Sequence, residues 1–342
     1  AGRLATVTTP FECRCVCGGM TARVAAGARL HVGFLNLSLA RERLYGSLGV
    51  ALDEPRVEVA AAPAGAVDCD HVRARDHAAR ACELLGVPGA SVTVESELPP
   101  HVGLGSGTQL ALAVFAAVAR AHGRQPRVRE HAPALGRGGR SGVGVAAFED
   151  GGFVFDAGHP ASQFTSERPE RGEWTVPPVA ARHEMPADWR FLLVLPDADP
   201  GKAGSEEDDS MRAVVENADP GLADRISAVV TDRVLPAVAT GDADAFGAGV
   251  AAVGRLNGAW YASEQGGVYR PPAGGIVDAL GDSPAVAGAG QSSWGPAVYG
   301  VTDRERADAA REAGQRALDQ AGVDGRVRIA EPRNTGARIG DD

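Results

Sequence analysis

The sequence predicts an α+β protein with two lobes. At 342 residues the chain can bury one large hydrophobic core or two modest ones, and two is the commoner arrangement. Strand-like and helix-like segments follow each other in a mixed order, without the regular alternation that builds a parallel sheet. In addition, a glycine-rich turn at residues 103–107 joins a predicted strand to a strongly apolar predicted helix. This order directs several backbone amides toward one point, which suits a phosphate.

The N-terminal part of the chain predicts three strands and two helices. Alternating apolar and polar residues indicate the strands, and an apolar stripe at helical spacing indicates each helix. We expect Pro55 to interrupt the second strand. The predicted strands cover residues 21–34, 46–63 and 91–97, and the predicted helices cover residues 70–85 and the segment that follows the glycine turn.

Residues 135–186 predict a second glycine-rich region and then a connection. Residues 135–159 are typical of a glycine turn followed by a hairpin of two apolar strands, with its tip at residues 149–152. Residues 160–186 are polar and contain prolines, so we expect a loop or a crossover between the two halves.

The C-terminal part begins with an apolar segment that predicts a buried strand. A loop with Lys202 and an acidic run is expected next, and the final residues 337–342 are expected to fray. The acidic run covers residues 206–209, the predicted helices cover residues 222–239, 242–256 and 304–321, and the predicted strands cover residues 191–197, 284–290, 296–303 and 326–332. We place a leader at residues 1–20, a phosphate-loop domain at 21–170 and a second domain at 171–336.

Composition limits the possible functions. The formal net charge of −10 argues against nucleic-acid binding, which requires a basic face. A phosphorylated substrate would also meet this negative field, so its site would need local arginines and helix ends. No apolar run reaches the ~20 residues of a membrane span, and the first residues lack the pattern of a secretory signal. We therefore expect a cytoplasmic protein without nucleic-acid or membrane partners.

The cysteines predict no metal site. Cys13, Cys15 and Cys17 stand in an alternating run, whereas structural zinc prefers pairs separated by two residues, and no second cluster matches them. We assign them no function and expect residues 1–20 to form a poorly ordered leader.

The glycine turn at residues 103–107 is the strongest local signal for a ligand. It lacks the Gly-Lys-Ser/Thr of a Walker A motif, and its spacing differs from that of a dinucleotide-binding turn. A glycine turn that is tight only for packing reasons is an equally weighted alternative. If the turn binds phosphate, the candidate groups are Gly103, Gly105, Ser106, Gly107 and Thr108.

Several motifs occur in one order and together resemble the GHMP superfamily of small-molecule kinases and their relatives. The closer resemblance is to the β-ribofuranosylaminobenzene 5'-phosphate synthases of methanopterin biosynthesis, and it covers most of the chain from about residue 23 onward. The motifs are ARLHVGFLNLS (28–38), YGSLGVALDEP (45–55), PPHVGLGSGTQ (99–109), GRGGRSGVGVAAFEDGGFVFDAGH (136–159), SEQGGVYRPP (263–272), GAGQSSWG (288–295) and PRNTGARI (332–339).

The resemblance implies a fold and a reaction. The fold would be a two-lobed GHMP type, with an N-terminal S5-like α/β lobe and a C-terminal ferredoxin-like α+β lobe. The enzyme would be a decarboxylating pentosyltransferase that moves the phosphoribosyl group of phosphoribosyl pyrophosphate onto 4-hydroxybenzoate or 4-aminobenzoate. Carbon dioxide and pyrophosphate would be released with the help of Mg²⁺, and relatives of this architecture commonly form homodimers.

The chemistry of that reaction selects candidate residues. Arginines between glycines suit the capture of phosphate or carboxylate. Two polar residues that flank Leu30 would share one face of a strand, and the pKa of a histidine there would lie near neutrality. The catalytic candidates are Arg137, Arg140, Ser141, His31 and Glu264, the last also as metal ligand, and further substrate-binding candidates are Arg29, Gln265, Gln291, Ser292, Ser293 and Trp294.

Two other functions remain open at this point. A GHMP-type kinase would transfer the γ-phosphoryl group of ATP to an alcohol. Such kinases often use a lysine, and the chain's only lysine, Lys202, is expected in a loop, which counts against a kinase. A non-catalytic member that only binds a phosphorylated metabolite is the third possibility, which the intact glycine loops and arginines disfavour.

Overall fold

Two antiparallel sheets with helices on their faces build the protein in a computed structural model that describes residues 20–165, 170–202 and 204–341. The expected two-lobed α+β architecture is confirmed. The expected leader, including Cys13, Cys15 and Cys17, lies outside the described residues except for Met20, and the domain limits stay a prediction. None of the described helices combines the length and apolar composition needed to span a bilayer.

The N-terminal lobe contains a seven-stranded sheet whose central path runs β11–β1–β2–β4–β6, with β3 and β5 also paired to β2. The elements up to residue 183 are β1 (Ala22–Asn36), β2 (Arg43–Pro63), α1 (Val72–Leu85), β3 (Ala90–Ser96), α2 (Ser106–Ala121), α3 (Val128–His131), α4 (Val143–Glu149), β4 (Phe153–Asp156), β5 (His159–Pro160) and β6 (Val179–His183).

The C-terminal lobe contains a four-stranded sheet in the order β10–β7–β9–β8. A π-helical segment, Val230–Val234, joins α6 to α7. The elements are β7 (Trp189–Pro196), α5 (Ser205–Asn217), α6 (Pro220–Val229), α7 (Leu235–Thr240), α8 (Ala243–Gln265), α9 (Ala273–Gly281), β8 (Gly288–Gln291), β9 (Val298–Asp303), α10 (Ala307–Ala321) and β10 (Gly325–Ala330), before β11 (Arg338–Asp341) returns to the first sheet.

The two lobes share a hydrophobic core. Apolar residues of β1, β2 and β4 pack together with residues of β7, α6 and α8 in one cluster. Phe246 of α8 meets Phe153 of β4 edge to face and packs in a tilted arrangement on Trp189 of β7, at ring-centroid distances of 5.7 and 4.9 Å. Separate cores lie under α1 and α2 in the first lobe and under α9 and α10 in the second. The shared core therefore holds the lobes together at their junction.

Several local expectations need correction. The hairpin expected in residues 135–159 is instead a helix, α4, followed by β4, because a wholly buried apolar run carries no period that separates helix from strand. The acidic run lies in α5 rather than in a loop, and Glu206, Glu207 and Asp208 are in its first turn, where carboxylates are stabilised by the positive end of the helix dipole. Residues 338–341 pair with β1 instead of fraying, and residues 160–186 contain β5 and β6.

Pro55 does not end the second strand. β2 runs through it, but the ladder with β1 breaks there, since Ala51 pairs with Arg29 and Arg56 already pairs with Gly27. The other predicted helices and strands are present within a few residues of their expected bounds, except that α8 extends to Gln265.

Asn257 connects the lobes at the end of β1, and its removal is expected to be costly. Its side-chain amide donates to the carbonyl oxygen of Phe34 and accepts from the Phe34 amide, both at 2.7 Å. Asn257→Ala leaves both backbone groups without these partners, so we expect the free energy of unfolding to fall by about 2–4 kcal/mol. Urea denaturation of the variant tests this. Asn217→Ala, an exposed position on α5, is the control, and an equal loss in both variants would contradict the role of Asn257.

Candidate active site

The glycine turn before α2 is closed by contacts from both lobes. The carbonyl oxygen of Gly103 accepts hydrogen bonds from the guanidinium of Arg29 at 2.7 Å and from the hydroxyl of Ser292 at 2.8 Å. Gly103 has a φ of +96°, and a Cβ there would lie 2.1 Å from the Ser292 carbonyl oxygen. Only glycine therefore allows the two glycine loops to approach so closely.

The start of α2 offers backbone donors. The amides of Thr108 and Gln109 both donate to the carbonyl oxygen of Gly105 at 3.0 Å. The amides of Ser106 and Gly107 precede them in the first turn, where a helix cannot supply its own acceptors. These two amides, at the positive end of the helix dipole, are the natural donors for an anion.

A polar cavity, which we call the arginine cleft, opens beside this helix start. It encloses about 1140 Å³, including its mouth. It is lined by Arg29, His31, Phe34, Thr108, Pro133, Gly136, Arg137, Gly138, Gly139, Arg140, Ser141, Glu170, Arg171, Gly172, Trp174, Glu207, Asp208, Met211, Ser293 and Trp294. Eight of the predicted site residues thus meet in one cavity, and the cleft is rich in guanidinium groups although the whole chain is acidic.

Arg29 and His31 project from β1 into the cleft, as their shared strand face predicts. Burial lowers the pKa of Arg29 to about 10, and the carboxylate of Glu207 offsets only part of this effect. Burial and the charge of Arg29 lower the pKa of His31 to about 3. His31 is therefore neutral at physiological pH, and the expectation that it changes charge near neutrality is wrong.

Arg140 is anchored by carboxylates of α5. Its guanidinium donates to Asp208 at 2.7 Å and lies 3.9 Å from Glu207. Burial lowers its pKa, but Tyr45, Glu207 and Asp208 outweigh this and raise the pKa above its usual value. Arg137 lies next to the helix start, with its Nη1 3.1 Å from where a Cβ on Gly107 would stand. Arg137 is thus the better placed of the two for an anion at α2.

Ser141 reaches the cleft at the end of a buried chain of hydrogen bonds. Its hydroxyl lies 2.6 Å from that of Ser47, which donates to the carboxylate of Asp156. Asp156 also accepts from the amides of Gly142 and Gly158, at 3.0 and 2.9 Å. Burial raises the pKa of Asp156 despite these bonds. The carboxylate therefore shapes the glycine-rich turn that carries Arg140 and Ser141.

A second cavity, which we call the aromatic pocket, adjoins the cleft. It holds about 450 Å³ including its mouth, and it shares His31, Phe34, Ser293 and Trp294 with the arginine cleft. Its remaining wall is formed by Val32, Gly33, Gly254, Asn257, Gly258, Tyr261, Gln265, Val268, Tyr269 and Gln291. Tyr261 and Trp294 meet edge to face at a centroid distance of 4.9 Å, close to the junction of the two cavities.

The loop 291–294 serves two purposes. Ser293 and Trp294 face the cavities, and Ser293 has a φ of +54°, which is uncommon for a residue other than glycine. Ser292 is wholly buried, accepts from the His31 amide at 3.1 Å and does not line the cavities among the described residues. Gln291 accepts from the Arg270 amide and donates to the Ser293 carbonyl, at 2.8 and 2.9 Å. Ser292 and Gln291 thus position the loop.

Glu264 stands apart from the cleft. Its carboxylate lies 3.5 Å from the Lys202 ammonium, which also donates to Ser210 at 2.6 Å. Gln265 on the same helix lines the aromatic pocket and donates to the Val268 carbonyl oxygen at 2.8 Å. Among the described residues, no group of three or more His, Cys, Asp or Glu side chains forms a ready-made metal site.

A basic groove of about 790 Å³ continues from the cleft along α1. It shares Gly136, Arg137 and Arg171 with the cleft and adds Arg73, Asp76, His77, Arg80, Gly107 and Leu135. Burial and the charge of Arg137 lower the pKa of His77 to about 4. The groove extends the positive surface past Gly107, so one polyanion can contact both regions.

Sequence reasoning missed several residues of the site. Asp156 ends the apolar segment FVFD, and a carboxylate directly after a buried strand could have been identified as a candidate from the sequence. Asp208 and Glu207 were readable only as a solvated acidic run. Arg171 and Trp174 carry no local pattern, because only the tertiary fold brings them to the cavities, and Tyr269 stands in the motif SEQGGVYRPP but was not selected as a candidate.

The buried neutral His31 predicts a pH-dependent stability. Its folded pKa of about 3 lies below the ordinary value of 6.5, so the unfolded chain takes up a proton that the folded chain excludes. The free energy of unfolding therefore falls as the pH drops from 6.5 toward 3, by up to about 2 kcal/mol between pH 7 and pH 5 from this residue. Denaturant titrations at both pH values should show a smaller difference for His31→Gln. His183→Gln serves as control, and unchanged pH dependence in both variants would refute this assignment.

Two family models match the chain in its two lobes. The GHMP kinases N terminal domain matches residues 72–152, and the GHMP kinases C terminal domain matches residues 234–320. The first match contains the glycine turn and α2, and the second contains α8 and the loop 291–294.

Solved structures with this fold include small-molecule kinases. Homoserine kinase from Cytophaga hutchinsonii superposes with a TM-score of 0.64 at 16% identity, over 93% of this chain and 97% of that one. Phosphomevalonate kinase from Streptococcus pneumoniae gives a TM-score of 0.65 at 13% identity, over 92% and 100%. At such identities the likeness shows the fold alone.

Sequence relatives identify one enzyme family within the superfamily. The chain is 34% identical to beta-ribofuranosylphenol 5'-phosphate synthase of Methanothermobacter thermautotrophicus, over 91% of this chain and 96% of the relative. It is 31% identical to the protein of the same name from Archaeoglobus fulgidus, over 93% and 99%. The resemblance expected from the motifs is thereby confirmed over nearly the whole length. The chain belongs to the beta-ribofuranosylphenol 5'-phosphate synthases, a family of enzymes within the GHMP superfamily.

Proposed function

We propose that this chain transfers the phosphoribosyl group of phosphoribosyl pyrophosphate to 4-hydroxybenzoate or 4-aminobenzoate, with release of carbon dioxide and pyrophosphate. One observation carries the proposal. An arginine-rich cleft at a helix start adjoins an aromatic pocket, and the two share His31, Phe34, Ser293 and Trp294. A polyanionic sugar and an aromatic acid need these two environments side by side.

The proposed reaction balances without a proton donor or an oxidant. The bond between the anomeric carbon and the pyrophosphate oxygen breaks, and its electron pair leaves with pyrophosphate. The ring carbon that bears the carboxylate attacks the anomeric carbon. The π electrons of the ring form the new carbon–carbon bond. Carbon dioxide then leaves, and the electron pair of the broken carbon–carboxylate bond returns to the ring and restores its aromaticity. Charge accumulates on the leaving pyrophosphate, so donors at that position are the main catalytic contribution.

The residues of the cleft can supply donors to the leaving pyrophosphate. In the proposed complex, the amides of Ser106 and Gly107 and the guanidinium of Arg137 hold the pyrophosphate. The basic groove with Arg73 and Arg80 receives the 5'-phosphate. Arg29 adds a positive charge at the junction, where the neutral imidazole of His31 contacts the reacting centre without a competing charge. These local groups offset the repulsion expected from a chain of net charge −10.

A magnesium ion fits the cleft through Glu207 and Asp208. Magnesium commonly takes one or two protein carboxylates beside phosphate oxygens and water. Glu207 and Asp208 line the cleft beside Arg140, to which Asp208 is bonded at 2.7 Å, whereas Glu264 is paired with Lys202 and does not line the cleft. The two α5 carboxylates are therefore better candidates than Glu264. The bound ion would neutralise charge on the leaving pyrophosphate.

The stoichiometry of the products tests the proposed reaction. Purified protein with Mg²⁺, phosphoribosyl pyrophosphate and 4-hydroxybenzoate should release pyrophosphate and carbon dioxide in equal amounts. Coupled pyrophosphate detection and ¹⁴C release from carboxyl-labelled acid measure the two products. Formation of ADP from ATP and an added alcohol, without either product, would instead establish a GHMP-type kinase.

Arg29 is expected to oppose stability while it supports binding. Its depressed pKa shows that the folded protein holds this cation at a cost, which an anionic ligand relieves. The Gly103 carbonyl keeps the Ser292 hydroxyl as a partner when Arg29 is replaced. Arg29→Met should therefore raise the free energy of unfolding of the ligand-free protein by about 1–3 kcal/mol. The same change should lower kcat/KM by at least about 100-fold.

Thermal unfolding with and without pyrophosphate, together with steady-state kinetics, measures both effects of Arg29→Met. Arg311→Met, at an exposed position of α10, is the matched control and should change neither quantity. Lower stability of Arg29→Met with normal kinetics would show that Arg29 has a structural role only.

A further inference from the structure

The aromatic pocket follows one face of α8. Gly254, Gly258 and Tyr261 lie on this face at helical spacing, and all three line the pocket. Tyr261 is next to Trp294, at the junction with the arginine cleft. Gly254 lies seven residues earlier, roughly 10 Å along the helix axis, a span comparable to a benzene ring with a substituent at each end.

Two tyrosine hydroxyls converge at the Gly254 end of the pocket. A Cβ built on Gly254 would lie 3.9 Å from the hydroxyl of Tyr269 and 4.0 Å from that of Tyr299. Both hydroxyls are buried, and neither has a hydrogen-bond partner among the residues that the structure describes. Tyr299 is 1% exposed on β9, whereas Tyr269 lines the pocket between α8 and α9.

Such a pair is unusual inside a protein. Buried polar groups nearly always have a partner, because an unpaired one keeps its desolvation cost. Burial raises the pKa of both tyrosines, so each hydroxyl remains neutral and can both donate and accept. The two hydroxyls therefore lack a polar group that a ligand can supply.

We infer that the hydroxyls of Tyr269 and Tyr299 bind the para substituent of the aromatic substrate and select rings that carry a hydroxyl or amino group there. This inference rests on the proposed function for the identity of the ring. The ring lies along α8 with its para group near Gly254 and its carboxylate-bearing carbon at the junction with the cleft. His31, Ser293 and Trp294 then surround the carbon that forms the new bond.

The proposed reaction gives a reason for binding the para group, because this group stabilises the charge that develops on the ring. Attack by the carboxylate-bearing carbon leaves positive charge on the ring, and the position para to it takes a large share. A para hydroxyl or amino group donates its lone pair to that charge. A tyrosine oxygen that accepts the hydrogen of this group strengthens the donation as the charge develops. An unsubstituted ring leaves the two hydroxyls unpaired, as they are in the free protein, so it lacks the binding energy that a para hydroxyl or amino group gains from them.

Binding to the full-length protein tests the inference without turnover. Calorimetric titration with 4-hydroxybenzoate and with benzoate should show that the wild type prefers the hydroxy acid by at least about tenfold. Tyr269→Phe and Tyr299→Phe should each remove most of this preference. Tyr299→Phe should also raise the melting temperature of the free protein, because it deletes an unpaired buried group.

Gly254→Ala provides a variant in which folding is not at risk. The added methyl has open space in the free protein, since no atom is closer than 3.9 Å, and alanine favours a helix interior. It would occupy the place of the para group, so affinity for 4-hydroxybenzoate should fall at least about tenfold with the melting temperature kept or raised. Gly275→Ala, a matched glycine in α9 with nothing within 4 Å, should change neither value.

Three results would overturn the inference: equal affinity of the wild type for both acids, no binding of either acid, or a preference that survives in the tyrosine and Gly254 variants. A preference for the hydroxy acid that these variants abolish, in a protein that releases no pyrophosphate, would support the ring pocket and refute phosphoribosyl transfer. The two proposals are thereby separated.

Discussion

The end of β1 is the constraint on which the site depends. The register between β1 and β2 shifts between His31 and Gly33, so β2 does not pair evenly with this stretch. The C-terminal lobe supplies partners here: the Ser292 hydroxyl for the His31 amide, the Ser293 amide for the His31 carbonyl and the Asn257 amide for both groups of Phe34. A strand of one lobe is thus completed by a loop and a helix of the other.

This junction creates two contrasting environments within one strand. Arg29 remains protonated although burial lowers its pKa, and His31, two residues later, is neutral at physiological pH. The contrast arises because His31 is buried and Arg29 partly buried, while only the imidazole loses its proton readily. Ser293, with its positive φ, directs its side chain to the same place. Backbone strain at a non-glycine residue is typical of functional sites, where the surrounding contacts over-determine the conformation.

Sequence patterns predicted the elements whose period is strong. The alternation in β1 and β3, the stripe of α2 and the glycine turn between them are local signals, and the fold keeps them. α4 was misread as a strand because it is buried on every side, so no polar residues mark its period. The role of β11 was missed because its pairing partner lies more than 300 residues away in sequence, beyond the reach of any local pattern.

The residues of the site also divide into those with a local sequence pattern and those that only the tertiary fold brings together. Arginines among glycines and the polar pair on β1 were readable, because residue type and spacing indicate an anion site directly. The carboxylates of α5 and the two tyrosines were not, since each depends on which surfaces the lobes bring together, whereas Asp156 has a local signal that was overlooked. Motif order carried the family assignment better than any one residue did, and the relatives match across nearly the whole length.

Lys202 gives the molecule an unusual chemical handle. It is the only lysine among 342 residues, and its ammonium lies 5.7 Å from the centre of the Trp294 ring while it bonds to Ser210. An amine-reactive dye therefore has a single side-chain target, next to the tryptophan at the junction of the two cavities. A fluorophore attached there would lie close enough to that indole to be quenched by it. Its fluorescence would then report on the lobe junction without any engineered cysteine.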